Sequence, residues 1–186
     1  MSSLWHAHIA PSSYDEFFEL LKNRKDRTLL DLSPGYDLLS LAGTKGFSVA
    51  SVDSREEILK AGKARRPIAL SQPGDAFSGV LCVGTFSYLP RESAPQLARE
   101  IGRVLSPGGI AFASFAPLWS TDLDDTKSVR TYFDRNGTAY RRDHGEFGAF
   151  VLYQTREIEN LFRHMKILKL VTQTNGARRL IAMKKG

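Results

Sequence analysis

Asp53 closes the apolar run FSVASVD (47–53). An acid at the end of a buried strand can accept two hydrogen bonds from ribose hydroxyls, charge-assisted contacts that contribute about 1.5–3 kcal/mol each. Gly35, at the end of LLDLSPG (29–35), lets backbone approach a ligand, and the helix that follows offers unpaired N–H groups to a carboxylate. His6, His8, His144 and His164 are the side chains that could serve as a general base for an oxygen or nitrogen nucleophile. Surface or structural duty accounts for them more simply: His6-Ala-His8 could belong to a lid, and His164 falls in a helical pattern. Cys82 is the only cysteine, which leaves no intramolecular disulfide, no cysteine-rich zinc site and no thiol pair. Inside an apolar strand it packs as a small hydrophobe. Asp122, Asp124 and Asp125 form a polar loop run and not a convincing metal-ligand set, so no metal is expected.

The elements that must hold these residues follow from periodicity. Tyr14, Phe17, Phe18 and Leu21 share a helical face behind a Ser13–Glu16 capping box. TLLDLS (28–33), FSVASVD (47–53), PIALS (67–71), SGVLCVG (78–84) and GIAFASF (109–115) read as buried strands. Helical patterns fall between them, at Leu38, Leu41 and Ala42, from a Ser54–Glu57 capping box to about Lys63, and behind Ser93 and Gln96 with Leu97, Ile101, Val104 and Leu105 inward. The polar stretch 117–147 has no assignable period. Thr155 then caps a helix with Ile158, Leu161, Phe162 and Met165 inward, and KILKLVTQ and ARRLIAMK flank Asn175-Gly176, a hairpin signal.

Alternation at this pace predicts an α/β chain whose mostly parallel, doubly wound sheet ends in an antiparallel hairpin. The carboxyl ends of the strands at the topological switch then form a crevice lined by the segments after Ser33, Asp53 and Gly84. A length of 186 residues fits one domain, residues 1–186, with a leading helix or lid at 1–27 and, at 117–150, a long edge connection or, as the family resemblance given below implies, a substrate-cap insertion. No run is long enough to span a bilayer and no secretory signal precedes the first helix, so a soluble cytoplasmic protein is expected. The net charge of +6 arises entirely after residue 155. Arg163, Lys166, Lys169, Arg178 and Arg179 lack interleaved aromatics for base stacking, which favours a solvated surface over nucleic-acid binding.

The order of these segments resembles the class I S-adenosylmethionine-dependent methyltransferase family over roughly residues 14–116 and again over 150–186. LLDLSPG sits where that family has its glycine-rich first loop, VASVD where its second strand ends in an acid, and AFSGVLCVGTFSYLP (76–90) where its fourth-strand segment lies. REIGRVLSPGGIAFASF (99–115) is similar to its helix, Pro-Gly-Gly turn and fifth strand. The resemblance implies a seven-stranded Rossmann-like sheet, S-adenosylmethionine as cofactor and a cofactor-binding set of Tyr14, Asp31, Ser33, Gly35, Asp53, Ser54, Gly84, Thr85 and Phe86. Within it Asp53 would take the ribose, Gly35 the methionine end with Tyr14 above it, and Gly84 to Phe86 the adenine and methyl group. Core packing would place the Phe86 ring equally well. Two residues depart from the family's loop: Ser33 and Asp37 stand where its outer glycines are. Its adenine-contacting acid has no firm counterpart, Asp75 being the nearest.

A methyltransferase acting on a small-molecule acceptor is therefore expected, its chemistry resting on in-line placement of a nucleophile with no assigned catalytic side chain. The altered loop favours an alternative, a non-catalytic methyltransferase-like domain that serves as a binding or assembly partner. A nicotinamide enzyme is disfavoured because Ser33-Pro34-Gly35-Tyr36-Asp37-Leu38 is not G-x-G-x-x-G.

Overall fold

The computed structural model describes residues 12–33, 38–51, 67–115, 131–133, 139–142, 149–174 and 176–186. In chain order these form α1 (Ser12–Leu21), β1 (Thr28–Asp31), α2 (Leu38–Thr44), β2 (Ser48–Ser51), β3 (Phe77–Val83), α3 (Thr85–Tyr88), α4 (Ala94–Val104), β4 (Leu105–Phe115), β5 (Thr131–Phe133), β6 (Ala139–Arg142), β7 (Ala149–Leu152), α5 (Thr155–Leu161), β8 (Lys166–Thr172) and β9 (Arg178–Met183).

Among the described residues the main sheet has six strands in the order β2-β1-β3-β4-β9-β8. β2, β1, β3 and β4 are parallel, and β9 and β8 close the sheet as an antiparallel hairpin. From β1 the chain steps outward to β2 and then returns past β1 to β3. The switch point therefore lies between β1 and β3, where Leu30 registers with Val80 and Asp31 with Leu81. Two cores flank the sheet. On one face α1 lays Tyr14, Phe17, Phe18 and Leu21 against Leu29, Leu81, Phe112 and Ile181. These four helix residues occur at the predicted i, i+3, i+4, i+7 spacing, and burying each aromatic contributes about 1.5–3 kcal/mol. Gly79 makes the approach of α1 possible, because a Cβ there would fall 2.6 Å from Leu29 Cδ2, 2.7 Å from Leu21 Cδ1 and 2.8 Å from Phe17 Cζ. On the other face Leu97, Ala98, Ile101 and Val104 of α4 join Ile158, Phe162 and Met165 over Val80, Cys82, Ala111 and Ala113.

The seventh strand expected at 67–71 does not form. Its backbone is instead satisfied by side chains of α4: Ile68 N–H donates to Gln96 Oε1 and Leu70 N–H to Glu100 Oε2, both at 2.8 Å. Arg103 donates back to the Leu70 and Gln72 carbonyls at 2.8 and 3.0 Å. Drawing Gln96 into this role removes the expected Ser93–Gln96 capping box, and Ser93 makes no side-chain cap. The cap of α5 is likewise one residue earlier than expected: Gln154, paired reciprocally with Glu157, closes a capping box in front of Thr155. At α1, Glu16 turns to Lys169 and Arg179, at 2.7 and 3.3 Å. The hairpin turn runs over five positions, closed by Gln173 N–H to the Ala177 carbonyl at 2.7 Å, with Gly176 at φ 80°. The stretch 117–147, without a readable period, contributes β5 and β6, which pair antiparallel with each other and with β7 as a second, three-stranded sheet. β7 packs against α3 at the carboxyl edge of the main sheet. The helix expected from Ser54 to Lys63 lies outside the described residues.

Candidate functional site

Three parallel strands deliver their carboxyl ends to one edge: β1 at Asp31, β3 at Val83 and β4 at Phe115. Hydrogen bonds join them there. Asp31 Oδ1 accepts from the Ser33 N–H at 2.8 Å, which turns the chain off β1. Ser33 Oγ in turn accepts from the Val83 N–H at 3.0 Å, and Thr85 Oγ1 donates to the Leu32 carbonyl at 2.6 Å. Both of these contacts cross the switch point. Gly84 N–H donates to Ser114 Oγ at 3.0 Å and so ties β3 to β4. Gly84 stands at φ 74° as the residue before α3, a left-handed conformation that glycine adopts without Cβ strain. It leaves the mouth of the crevice free of a side chain.

Burial raises the Asp31 carboxyl above its usual range, opposed by the hydrogen bonds from Ser33. Burial likewise pushes the Cys82 thiol up to about 12, so at neutral pH it is a packed thiol and no nucleophile. His164 is held below its ordinary pKa by burial and its ring nitrogen meets the Ala98 carbonyl at 3.1 Å. It sits beside Ala98 and Gly102 of α4, just before β8 and away from the carboxyl edge, in a structural position.

Of the sequence-predicted site residues, the structure brings Asp31, Ser33, Gly84 and Thr85 together at the switch point. Tyr14 is buried against Phe112 with ring centroids 5.0 Å apart. Phe86, fully buried, stacks on Phe115 at 5.1 Å and meets Phe162 edge-on at 5.6 Å. Its ring belongs to the core, and its backbone follows the crevice. Gly35, Asp53 and Ser54 lie outside the described residues, as do His6, His8, His144 and the Asp122, Asp124, Asp125 run. Asp75 stands before β3, at the opposite edge of the sheet, with φ 59° and its carboxylate 2.7 Å from Lys184 Nζ. That position excludes it from the crevice.

Two residues at this edge were not singled out as site residues. Ser114, at the end of β4, carries no motif signal beyond being polar in an apolar strand. Arg178 was read as part of an exposed basic surface, and it is 5% exposed. Period-2 alternation in RRLIAM supplies the missed signal, because Arg178 shares its face with Leu180 and Ala182, both core residues.

No family model matches the sequence, and no curated protein matches it. Solved structures do share its fold. It is similar to a SAM-dependent methyltransferase from Methanosarcina mazei at TM-score 0.61 and 18% identity, over 95% of this chain and 98% of that one. A S-adenosylmethionine-dependent methyltransferase from Clostridium acetobutylicum ATCC 824 superposes at TM-score 0.62 and 15% identity, over 98% and 95%. The 1,6-didemethyltoxoflavin-N1-methyltransferase of Burkholderia thailandensis, solved with 1,6-didemethyltoxoflavin and S-adenosylhomocysteine, superposes at TM-score 0.59 and 15% identity, over 94% and 85%. The chain thus has the class I S-adenosylmethionine-dependent methyltransferase fold. No helix among the described residues is long and apolar enough to cross a membrane.

Proposed function

We propose that the protein transfers a methyl group from S-adenosylmethionine to a small-molecule acceptor. The observation that carries this reading is the crevice at the switch point of the parallel sheet, open at Gly84, in a chain whose fold is shared with such enzymes. The residues present suit the cofactor. Gly84 keeps backbone accessible at the end of β3, and Ser33 leads the chain from β1 into the loop that carries Gly35. In this reading Gly35 and the loop hold the methionine end beside Tyr14, Asp53 and Ser54 the ribose, and Thr85 and Phe86 border the adenine. The bound sulfonium supplies an electrophilic methyl group. The chain's contribution is to hold an acceptor in line with it and to exclude water, a proximity effect that can supply about 7–11 kcal/mol without a catalytic triad. In this reading the second sheet, packed on α3 through β7, covers the acceptor. Two neighbours support the acceptor class: the 1,6-didemethyltoxoflavin-N1-methyltransferase above and CalS10 of Micromonospora echinaspora, an amino pentose methyltransferase solved with bound SAM (TM-score 0.51, 13% identity, over 94% of this chain and 91% of that one).

A second reading is favoured by one contact. Ser33, standing where the family's loop has glycine, spends its hydroxyl on Val83 across the crevice, as a domain that keeps the fold without the cofactor would. Thermal unfolding with and without S-adenosylhomocysteine separates the two. At about 100 times the dissociation constant a native-state ligand adds about 2.7 kcal/mol, a rise of roughly 5–10 °C for a domain of this size. Such a rise, reduced by Asp53→Ala, is expected. No rise at millimolar ligand would transfer the assignment to a non-catalytic binding or assembly role.

A further inference from the structure

Arg178 opens β9 in register with Phe115 of β4 and Thr172 of β8. Because β4 is parallel to β1 and β3, this is the edge of the sheet that carries Asp31 and Gly84. The neighbouring Arg179 points to the α1 face, where its guanidinium meets Glu16 at 3.3 Å. Arg178 points the other way, to the face of Leu180, beneath the side on which β7 and α3 pack. It is 5% exposed, and among the described residues neither Nε nor NH1 has a hydrogen-bond partner. A buried guanidinium carries five donors and no acceptor, and leaving it unpaired costs several kcal/mol. Burial lowers its pKa from the ordinary value, and no carboxylate among the described residues counters it. Buried polar groups in folded proteins are almost always satisfied, so an orphan of this kind calls for a partner that arrives from outside.

The position says which partner. Gly84 follows β3, Arg178 lies two strands further along, past β4, and neighbouring strands are about 4.8 Å apart. The Arg178 backbone is therefore roughly 10 Å from that of the crevice wall, beyond the switch point and, in the methyltransferase reading, on the acceptor's side. The aromatic sequence Phe86, Phe115, Tyr153, with centroid separations of 5.1 and 5.5 Å, forms a rigid apolar floor between the two places. We propose that Arg178 is the specificity residue of the acceptor site and binds an oxyanion of the methyl acceptor, a carboxylate or a phosphate. The planar fork of arginine matches either group bidentately. This deepens the methyltransferase reading and rests on it for the word acceptor, although the anion site itself does not depend on the cofactor.

The test uses benzoate and phenyl phosphate as probes, with neutral benzamide as control, in thermal unfolding and calorimetric titration of the full chain. Each is added with and without saturating S-adenosylhomocysteine, to wild type, Arg178→Met and Arg178→Lys. At least one anion is expected to raise the wild-type midpoint where benzamide does not, to bind at least about tenfold more weakly to Arg178→Met, and to recover in part in Arg178→Lys. The ratio of benzoate to phenyl phosphate affinity tells the carboxylate from the phosphate. Without probe, Arg178→Met should melt at or above the wild-type temperature, because it removes an unpaired buried charge. Equal anion response in wild type and both variants would overturn the proposal. So would a lowered midpoint in Arg178→Met that is non-additive with a combined Asp122→Asn, Asp124→Asn, Asp125→Asn change, since the guanidinium would then serve the chain's own carboxylates. S-adenosylhomocysteine stabilisation without an anion response removes the anion site and leaves the methyltransferase reading standing. An Arg178-dependent anion response without S-adenosylhomocysteine stabilisation does the reverse.

Discussion

Ser33 Oγ accepts a hydrogen bond from the Val83 N–H at 3.0 Å, a side-chain contact that links the chain leaving β1 to the end of β3 where the sheet reverses its strand order. Ser33→Gly removes the acceptor and leaves Val83 N–H to seek water, so unfolding free energy should fall by about 1 kcal/mol. Affinity for S-adenosylhomocysteine should rise in the same variant as the crevice edge is released. Urea unfolding and calorimetric titration read the two effects separately. A fall in both would mean that the Ser33 side chain is itself a binding group.

Asp31 sits behind Ser33 with its carboxyl raised by burial. A carboxyl whose folded pKa exceeds its unfolded value favours folding below the unfolded pKa, and that contribution is lost as pH rises through the folded pKa. Asp31→Asn, which keeps an oxygen for the Ser33 N–H, should therefore gain stability relative to wild type as pH is raised from 4 to 8. Chemical denaturation across that range gives the slope, and a widening deficit of the variant would contradict it.

Glu100 shows the opposite sign. The Arg103 guanidinium and the Leu70 N–H hold its carboxyl below the usual range against burial. The stabilisation is present above the unfolded pKa and lost as pH falls through the folded one. Glu100→Gln should cost about 1 kcal/mol at pH 7, with the difference from wild type shrinking in acid. Amide exchange at Leu70 should accelerate in the variant at neutral pH, because that N–H is held by the Glu100 side chain and not by a neighbouring strand.

Gly79→Ala would drive a methyl group into Leu29, Leu21 and Phe17, all within 2.8 Å of the ideal Cβ position. Overpacking of this kind costs about 1–3 kcal/mol, which for a domain of this size lowers the melting temperature by roughly 2–12 °C.

The elements with strong periodicity were legible in the sequence. The face of α1, the strands that became β1 to β4, and the closing hairpin followed from apolar spacing and an Asn-Gly signal. The parts that escaped depend on partners distant in the chain. PIALS has the composition of a strand, yet its amides are taken by Gln96 and Glu100, 28 and 30 residues away, and no local pattern encodes that. Ser93 and Thr155 are good capping types, but capping depends on where the neighbouring glutamine turns: Gln96 left for Ile68, and Gln154 took the cap of α5. β5 and β6, in a polar stretch, are strands of three and four residues, too short for alternation to declare them. Within the candidate site, Ser33 and Gly84 were legible as the ends of apolar runs, and the resemblance added Asp31 and Thr85; the structure brings these four together at the switch point. Arg178 was set among solvated charges because its type outweighed its register.

Glu16 joins the first helix to residues 153 and 163 positions further along the chain, and Ile181 of β9 lies in the same core as Phe17 and Tyr14. Contacts of such separation carry their full loop-closure entropy before they return any stabilisation, and they slow folding. Residues 12–21 cannot complete their burial until the hairpin 166–183 has taken its place on β4. α1 is thus a late arrival in the folding reaction, although it comes early in the chain, and protection of its amides from exchange marks the moment at which that half of the molecule closes.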